Sequence, residues 1–296
     1  MHGGRQSSRV SAFIAAFVLT NGALAPAQTA PCVSPAAVTL ADRPGTGRTT
    51  STGGSPCVAP PGELVVESGW RRQITADPGT VTLASGPLLF VRFGVAKRLE
   101  LGVAPPARQS RLAAPTASLD TARGAADPVV ALKYLVADTG TTQASAGLAY
   151  SPPNGTGEFT NGIPTYAASF NVGTALTSRL SVATSLVAAT AAGADASGKT
   201  RSYVVFAPSF TLAYAIDSMD TVLVQDAFVS RQGPLLPSGS RGFIAVQRAI
   251  GSRLAIDVDY ERNLAPLLGR RAEAVGFGFV WIAAPGRKGP ALTGPP

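Results

Sequence analysis

From Gly62 to about residue 284 the chain repeats one pattern, large apolar side chains at every second position within short segments. Leu254, Ile256, Val258 and Tyr260 share one face, and Ala255, Asp257, Asp259 and Glu261 the other. Val275, Phe277, Phe279 and Trp281 alternate with Ala274, Gly276, Gly278 and Val280. Period 2 is the signature of a strand with one apolar face, and it excludes an amphipathic helix, which needs 3.6. About twelve such segments can be read. They span 62–74, 79–95, 98–105, 127–137, 141–151, 163–176, 179–191, 201–216, 220–231, 239–250, 253–264 and 271–284. Most suit a tilted membrane strand of roughly 9–11 residues. The third is short and the second carries Pro87, which suits a central strand poorly.

The connections sort by parity. From even to odd segments they are tight: Ala96-Lys97, Asp138-Thr139-Gly140, Thr177-Ser178, Asp217-Ser218-Met219 and Gly251-Ser252. Three open a local repeat of Arg-Leu-x-apolar at Arg98, Arg179 and Arg253. From odd to even most are longer: 106–126, 152–162, 192–200, 232–238 and 265–270. Short periplasmic turns and long extracellular loops define the two ends of an outer-membrane barrel. The expected fold is therefore all-β, an antiparallel transmembrane β-barrel of about twelve strands. Its apolar face meets lipid and its Gly/Ser/Ala/Asp face lines a polar lumen. Trp70, Tyr150, Tyr166, Tyr203 and Tyr260 are expected near the outer strand ends as an aromatic girdle. Arg248 and Arg262 fall on the lipid face, which is cheap only near an interface.

Composition agrees. Charged residues are 14% of the 296 and hydrophobic residues 45%, whereas a soluble domain has about a quarter charged. No run of about 18 apolar residues follows the N-terminus, which excludes helical spans. Residues 1–27 read as a secretory signal, with basic Arg5 and Arg9, an apolar Val10–Leu19 and a small-x-small site at Ala25-Pro26-Ala27. Residues 28–61 form a Gly/Pro/Ser/Thr-rich periplasmic segment, a candidate partial plug of the barrel mouth. Residues 62–284 are the barrel, and 285–296 a Pro/Gly-rich basic tail. An oxidising compartment permits a disulfide between Cys32 and Cys57, although two free thiols are equally compatible with the sequence.

Two motifs bear on chemistry. Gly193 to Thr200 (GADASGKT) matches the phosphate-binding string G-x-x-x-x-G-K-[ST], but a strand pattern follows where that loop needs a helix. The one histidine is His2, within the signal, so the mature chain lacks a Ser-His-Asp triad and histidine metal sites. No enzyme activity, metal or cofactor is expected. The carboxylates Asp257, Asp259 and Glu261 read as lumen lining, together with Glu67, Arg92, Glu100, Lys133 and Asn171. Opposing charges across a pore build a transverse field and a size filter; salt bridges that simply fill the barrel are the competing reading. The formal charge of +8 comes from dispersed residues. It points to lipopolysaccharide and away from nucleic acid.

Asp42-Arg43-Pro44-Gly45, then Pro61-Gly62-Glu63-Leu64-Val65-Val66-Glu67-Ser68-Gly69, resembles the opening of a bacterial outer-membrane "transporter" family linked by name to the meta-pathway of phenol degradation. Phe93 to Leu101 resembles its next hairpin and Ala131-Leu132-Lys133-Tyr134 its following strand. The resemblance implies passive passage of small molecules, with aromatic or hydrophobic solutes suggested, and partners in outer-membrane lipid and the barrel assembly machinery. Cys57 and the tail after Trp281 depart from the family pattern. A non-conducting structural or adhesive barrel and a soluble periplasmic β-protein are the alternatives.

Overall fold

The computed structural model describes residues 55–77, 80–115, 120–231, 238–250, 253–264 and 271–283. The strands are β1 (Leu64–Asp77), β2 (Thr80–Ala96), β3 (Leu99–Ala104), β4 (Arg108–Pro115), β5 (Asp120–Ala125), β6 (Val129–Asp138), β7 (Thr142–Ser151) and β8 (Thr165–Ala175). They continue with β9 (Leu180–Ala194), β10 (Thr200–Phe206), β11 (Ser209–Ala215), β12 (Asp220–Val229), β13 (Gly239–Ile250), β14 (Leu254–Asn263) and β15 (Arg271–Ala283). All pairings between them are antiparallel. β1 pairs both with β2 and with β15, so the sheet closes on itself, and among the described strands only the outer segments β5 and β10 pair on a single side. Among the described residues no helix is long and apolar enough to cross a membrane.

These segments make a twelve-walled barrel because three walls consist of two segments in series. β3 and β4 break at Pro105-Pro106, β5 and β6 at Pro128, and β10 and β11 at Pro208. Proline has no N–H for the ladder, so it interrupts a wall without ending it. Pro87 obeys the same logic. β2 pairs with β3 through Val91–Ala96 and with β4 through Thr80–Ser85, and Pro87 lies in the unpaired gap, level with the Pro105-Pro106 break.

The twelve walls fall on the twelve expected segments, with differences at the outer ends. Residues 106–126, expected as a loop, instead form most of the β4–β5 hairpin. There both faces meet water, so no apolar alternation marks the strands. β9 and β10 pair up to Ala194↔Thr200, leaving only a tight turn where a long loop was expected. β1 and β2 likewise pair up to Asp77↔Thr80. The signal, residues 28–54, the turn Gly251-Ser252 and the tail lie outside the described residues, as do most of the loops 232–238 and 265–270.

Three of the tight turns share one chemistry, in which Asp138, Thr177 or Asp217 accepts backbone N–H groups. Thr177 Oγ1 accepts from Leu180 at 2.9 Å, and Asp217 Oδ1 from Met219 and Asp220 at 2.7 Å each. Those two bonds, helped by Arg248 and Arg179, hold the Asp217 carboxyl below its ordinary range. Gly140 takes φ of 85°, which only glycine adopts freely. The arginine repeat has one position in common. The carbonyls of Arg98, Arg179 and Arg253 each accept, at 2.8 Å, the N–H of Leu135, Ala215 and Ile282 on the neighbouring wall.

Parity divides the two faces. Leu101, Leu132, Leu148, Phe170, Leu186, Phe210, Ile244, Val258 and Phe277 all point outward and are exposed. Each would forgo about 1.5–3 kcal/mol of burial if left in water; a lipid annulus covers them. Tyr150 and Tyr166 stack across β7 and β8 with centroids 5.2 Å apart, and Tyr260 also faces out. Trp281 and Tyr134 face out near the tight-turn end. Two girdle expectations need correction. Trp70 lies mid-strand, opposite Pro87 and Phe277, because β1 runs on to Asp77. Tyr203 has the parity of buried Val205 and belongs to the inner face. Arg248 and Arg262 do face outward, but close to the strand ends, with Arg248 3.5 Å from Asp220 and Arg262 3.6 Å from Glu273. Rim positions cost little.

Candidate functional site

The inner face is polar and carries its charges in balanced groups. Arg92, fully buried on β2, lies between a carboxylate from each neighbouring wall. Its Nη1 donates to Glu67 Oε1 at 2.9 Å, and its Nε and Nη2 donate to the two oxygens of Glu100 at 2.8 and 2.7 Å. The fork suits a planar guanidinium, and the Glu100 pairing is bidentate. Lys133 on β6 brings a second cation, so the four side chains sum to zero charge. Buried charges persist only when paired in this way.

Residues 55–61 run across this wall inside the barrel. Lys133 Nζ donates to the carbonyls of Ser55 and Cys57 at 3.3 Å each, and Arg92 Nη2 to that of Cys57 at 3.0 Å. The Ala59 N–H donates to Glu100 Oε2 at 2.6 Å. The Gly62 N–H donates to the Gly94 carbonyl at 2.7 Å. Two glycines leave the room. A Cβ on Gly94 would overlap the Pro60 carbonyl, and one on Gly173 would lie 2.8 Å from the Pro56 ring. This segment, here called the strap, therefore spans from β8 to β1 along one side of the lumen. Ala59 packs against Val65 and Val280. Cys57 is buried and is not a free thiol; Cys32 lies outside the described residues.

A second group sits toward the outer end. Arg71 Nη2 donates to Glu261 at 2.6 Å and its Nη1 to Asp259 at 3.4 Å, while Arg241 reaches Glu261 at 3.3 Å. Asp257 is buried beside Gln247, its cross-strand partner. On the other side Asn171 joins three serines. It donates to Ser145 at 3.4 Å and to Ser169 at 3.5 Å, and it accepts from Ser185 at 2.7 Å. The structure thus brings Glu67, Arg92, Glu100 and Lys133 into one group and Asp259 and Glu261 into another, and leaves Asn171 in a third. Arg71, Arg241, Ser145, Ser185 and Gln247 join them without having been singled out from the sequence. Their signal was available, since Arg71 is four residues from Glu67 on the same strand and shares its parity.

The phosphate-loop string forms a hairpin turn. Asp195 Oδ1 accepts the N–H groups of Ser197 and Lys199 and the Ser197 hydroxyl, and its Oδ2 accepts from Arg201 at 3.1 Å. The Ser197 hydroxyl and Arg201 hold this carboxyl down at about 2. A carboxylate occupies the place a phosphate would take, and β10 follows where a helix is required. Among the described residues no cluster of ligating side chains is arranged for a metal.

A closed antiparallel barrel with an apolar outside and a polar inside is an outer-membrane protein. The family model described as "Putative MetA-pathway of phenol degradation" matches residues 41–240, and the chain belongs to that family. Its structure is similar to that of an outer membrane channel from Pseudomonas putida F1, with a TM-score of 0.59 at 11% identity, covering 76% of this chain and 97% of that one. It is also similar to the translocator domain of the autotransporter NalP from Neisseria meningitidis, with a TM-score of 0.50 at 8% identity, covering 75% and 89%. Both likenesses are of fold. No curated protein matches the sequence.

Proposed function

We propose that this barrel is a passive channel for small solutes. The observation that carries the reading is the inner face, where charged and polar groups stand among small apolar clusters and the charges are neutralised in place rather than arranged around a reacting atom. The charges pair between neighbouring or next-but-one walls, so each group lines one side of the lumen and limits the size of what passes. The strap narrows the periplasmic side and acts as a partial plug. The family description points to single-ring aromatic solutes. The side chains of Glu67, Arg92, Glu100, Lys133, Asn171, Asp257, Asp259 and Glu261 are the proposed pore lining.

Residues 1–27 are removed on export, residues 28–61 form the plug segment, and residues 285–296 trail from the last strand as a basic tail. Cys32 and Cys57 form a disulfide that ties the strap to the segment ahead of it. Lipopolysaccharide meets the outer rim, and the assembly machinery inserts the chain. The barrel carries no catalytic role.

Swelling of liposomes loaded with the purified protein tests the channel. Arabinose and neutral aromatic solutes should enter faster than into protein-free liposomes, while large oligosaccharides should not. A heat-modifiable, membrane-inserted barrel that admits no solute would replace the channel with a structural or adhesive role.

A further inference from the structure

The segment between β7 and β8 is folded and pinned. Asp127 spends both carboxylate oxygens on it, accepting the N–H of Gly155 and of Asn161 at 2.7 Å each. The Thr156 N–H donates to the Ala125 carbonyl at 2.8 Å, and the Ala125 N–H to Thr156 Oγ1 at 2.9 Å. One turn of 3₁₀ helix, Gly157–Phe159, then sets the Phe159 ring against Gly124, where a Cβ would lie 2.7 Å from the ring. Beneath it is a cavity of about 200 Å³. Its floor is Val129, Ala149 and Ala167, all of inner-face parity, so the cavity belongs to the lumen side of the extracellular mouth.

The lining selects the chemistry of an occupant. Its one charged group, Asp127, gives one oxygen to the Gly155 N–H and the other to the Asn161 N–H, and no Lys or Arg lines the space. An anion has no counter-charge here and would meet the Asp127 carboxylate, so an anionic occupant is excluded, and the apolar floor favours a neutral one. Ser151 Oγ is used on the Pro128 carbonyl and Thr190 Oγ1 on the Tyr166 N–H. The side chains of Asn161 and Thr165 make no hydrogen bond to the described residues and remain available to a ligand. Size is equally restrictive. An apolar cavity of about 150 Å³ accommodates benzene, so this one takes a single ring with room for one substituent. Phe159 supplies an aromatic face for offset or edge-on contact.

We propose that this alcove binds a neutral single-ring aromatic bearing one hydrogen-bonding substituent, ring against Phe159 and the alanine floor, substituent toward Asn161 and Thr165. Its role as the first station of a transport path rests on the channel reading; the binding itself does not. The test uses the full chain in detergent micelles and fluorine NMR of 4-fluorophenol, with empty micelles correcting for partitioning. A saturable shift is expected. It should weaken at least tenfold in Ala167→Leu, which fills the floor, and in Phe159→Ala, which alters only the loop. The 4-fluorobenzoate anion should show no saturation. Equal binding of the benzoate, no saturable component with 4-fluorophenol, or unchanged binding in both variants would overturn the proposal. Potassium chloride conductance of the same preparation is read separately. Saturable phenol binding without conductance would defeat the channel reading and leave the alcove standing.

Discussion

Arg92→Met isolates the role of the buried charge group. In the native barrel Arg92 satisfies Glu67, both oxygens of Glu100 and the Cys57 carbonyl. Methionine keeps most of the apolar stem and removes every donor. Two carboxylates then remain buried, and the net charge of the four-residue group falls from zero to −1. Breaking a buried pair by removing one partner costs about 3–5 kcal/mol. The lost strap bond adds about 1 kcal/mol. With a urea slope of about 2 kcal/mol/M, the combined loss of about 5 kcal/mol shifts the unfolding midpoint by roughly 2.5 M. Tryptophan fluorescence of the micelle-bound barrel in urea measures that shift. The double variant Arg92→Met, Glu67→Gln should recover much of it, because Lys133 and Glu100 then balance and the group returns to zero net charge. The reasoning fails if the single variant costs less than about 1 kcal/mol, or if the double variant is no more stable than the single.

Gly94→Val should push the strap off β2 through the Pro60 carbonyl, raising conductance while the heat-modifiable gel shift persists. Arg71→Met removes one donor from Asp259 and one from Glu261; urea unfolding should show a loss at the low end of about 3–5 kcal/mol, since Arg241 still reaches Glu261. Asp195 has a lowered carboxyl pKa, so its stabilisation of the 195–199 turn is complete above the ordinary value of 3.8 and is lost as pH falls through about 2. Amide exchange at Ser197 and Lys199 should therefore stay protected from pH 7 to about pH 4, whereas Asp195→Ala, which removes the acceptor, should expose both at every pH.

The walls were legible because lipid imposes a strict alternation. Wherever a strand crosses the apolar layer, every second side chain must be apolar, and segments such as Leu254–Asn263 announce themselves. The rule lapses where the sheet overhangs into water, which is why β4 and β5 read as a loop and why β1 seemed to end before Asp77. Parity also separates Glu67, Arg92 and Glu100 from the lipid-facing positions. It does not reveal which charges meet. Arg92 joins Glu67 and Glu100 through register across three strands, and Arg71 meets Glu261 across 190 residues of sequence. The strap was the least legible element. Its residues have no period of their own, and their place is set by carbonyls that any sequence would offer to Lys133 and Arg92. Tyr203 misled because it was placed by its nearness to a strand end and not by parity, which Val204, Phe206 and Phe210 keep unbroken across Pro208.

The central claim is that the lumen is a solute path narrowed by the strap. Single-channel recording in planar bilayers, comparing the intact chain with a deletion of residues 40–60, tests it most directly. The account predicts a small conductance in the intact protein and a clearly larger one in the deletion. Identical conductance in the two, or none in either, would contradict it.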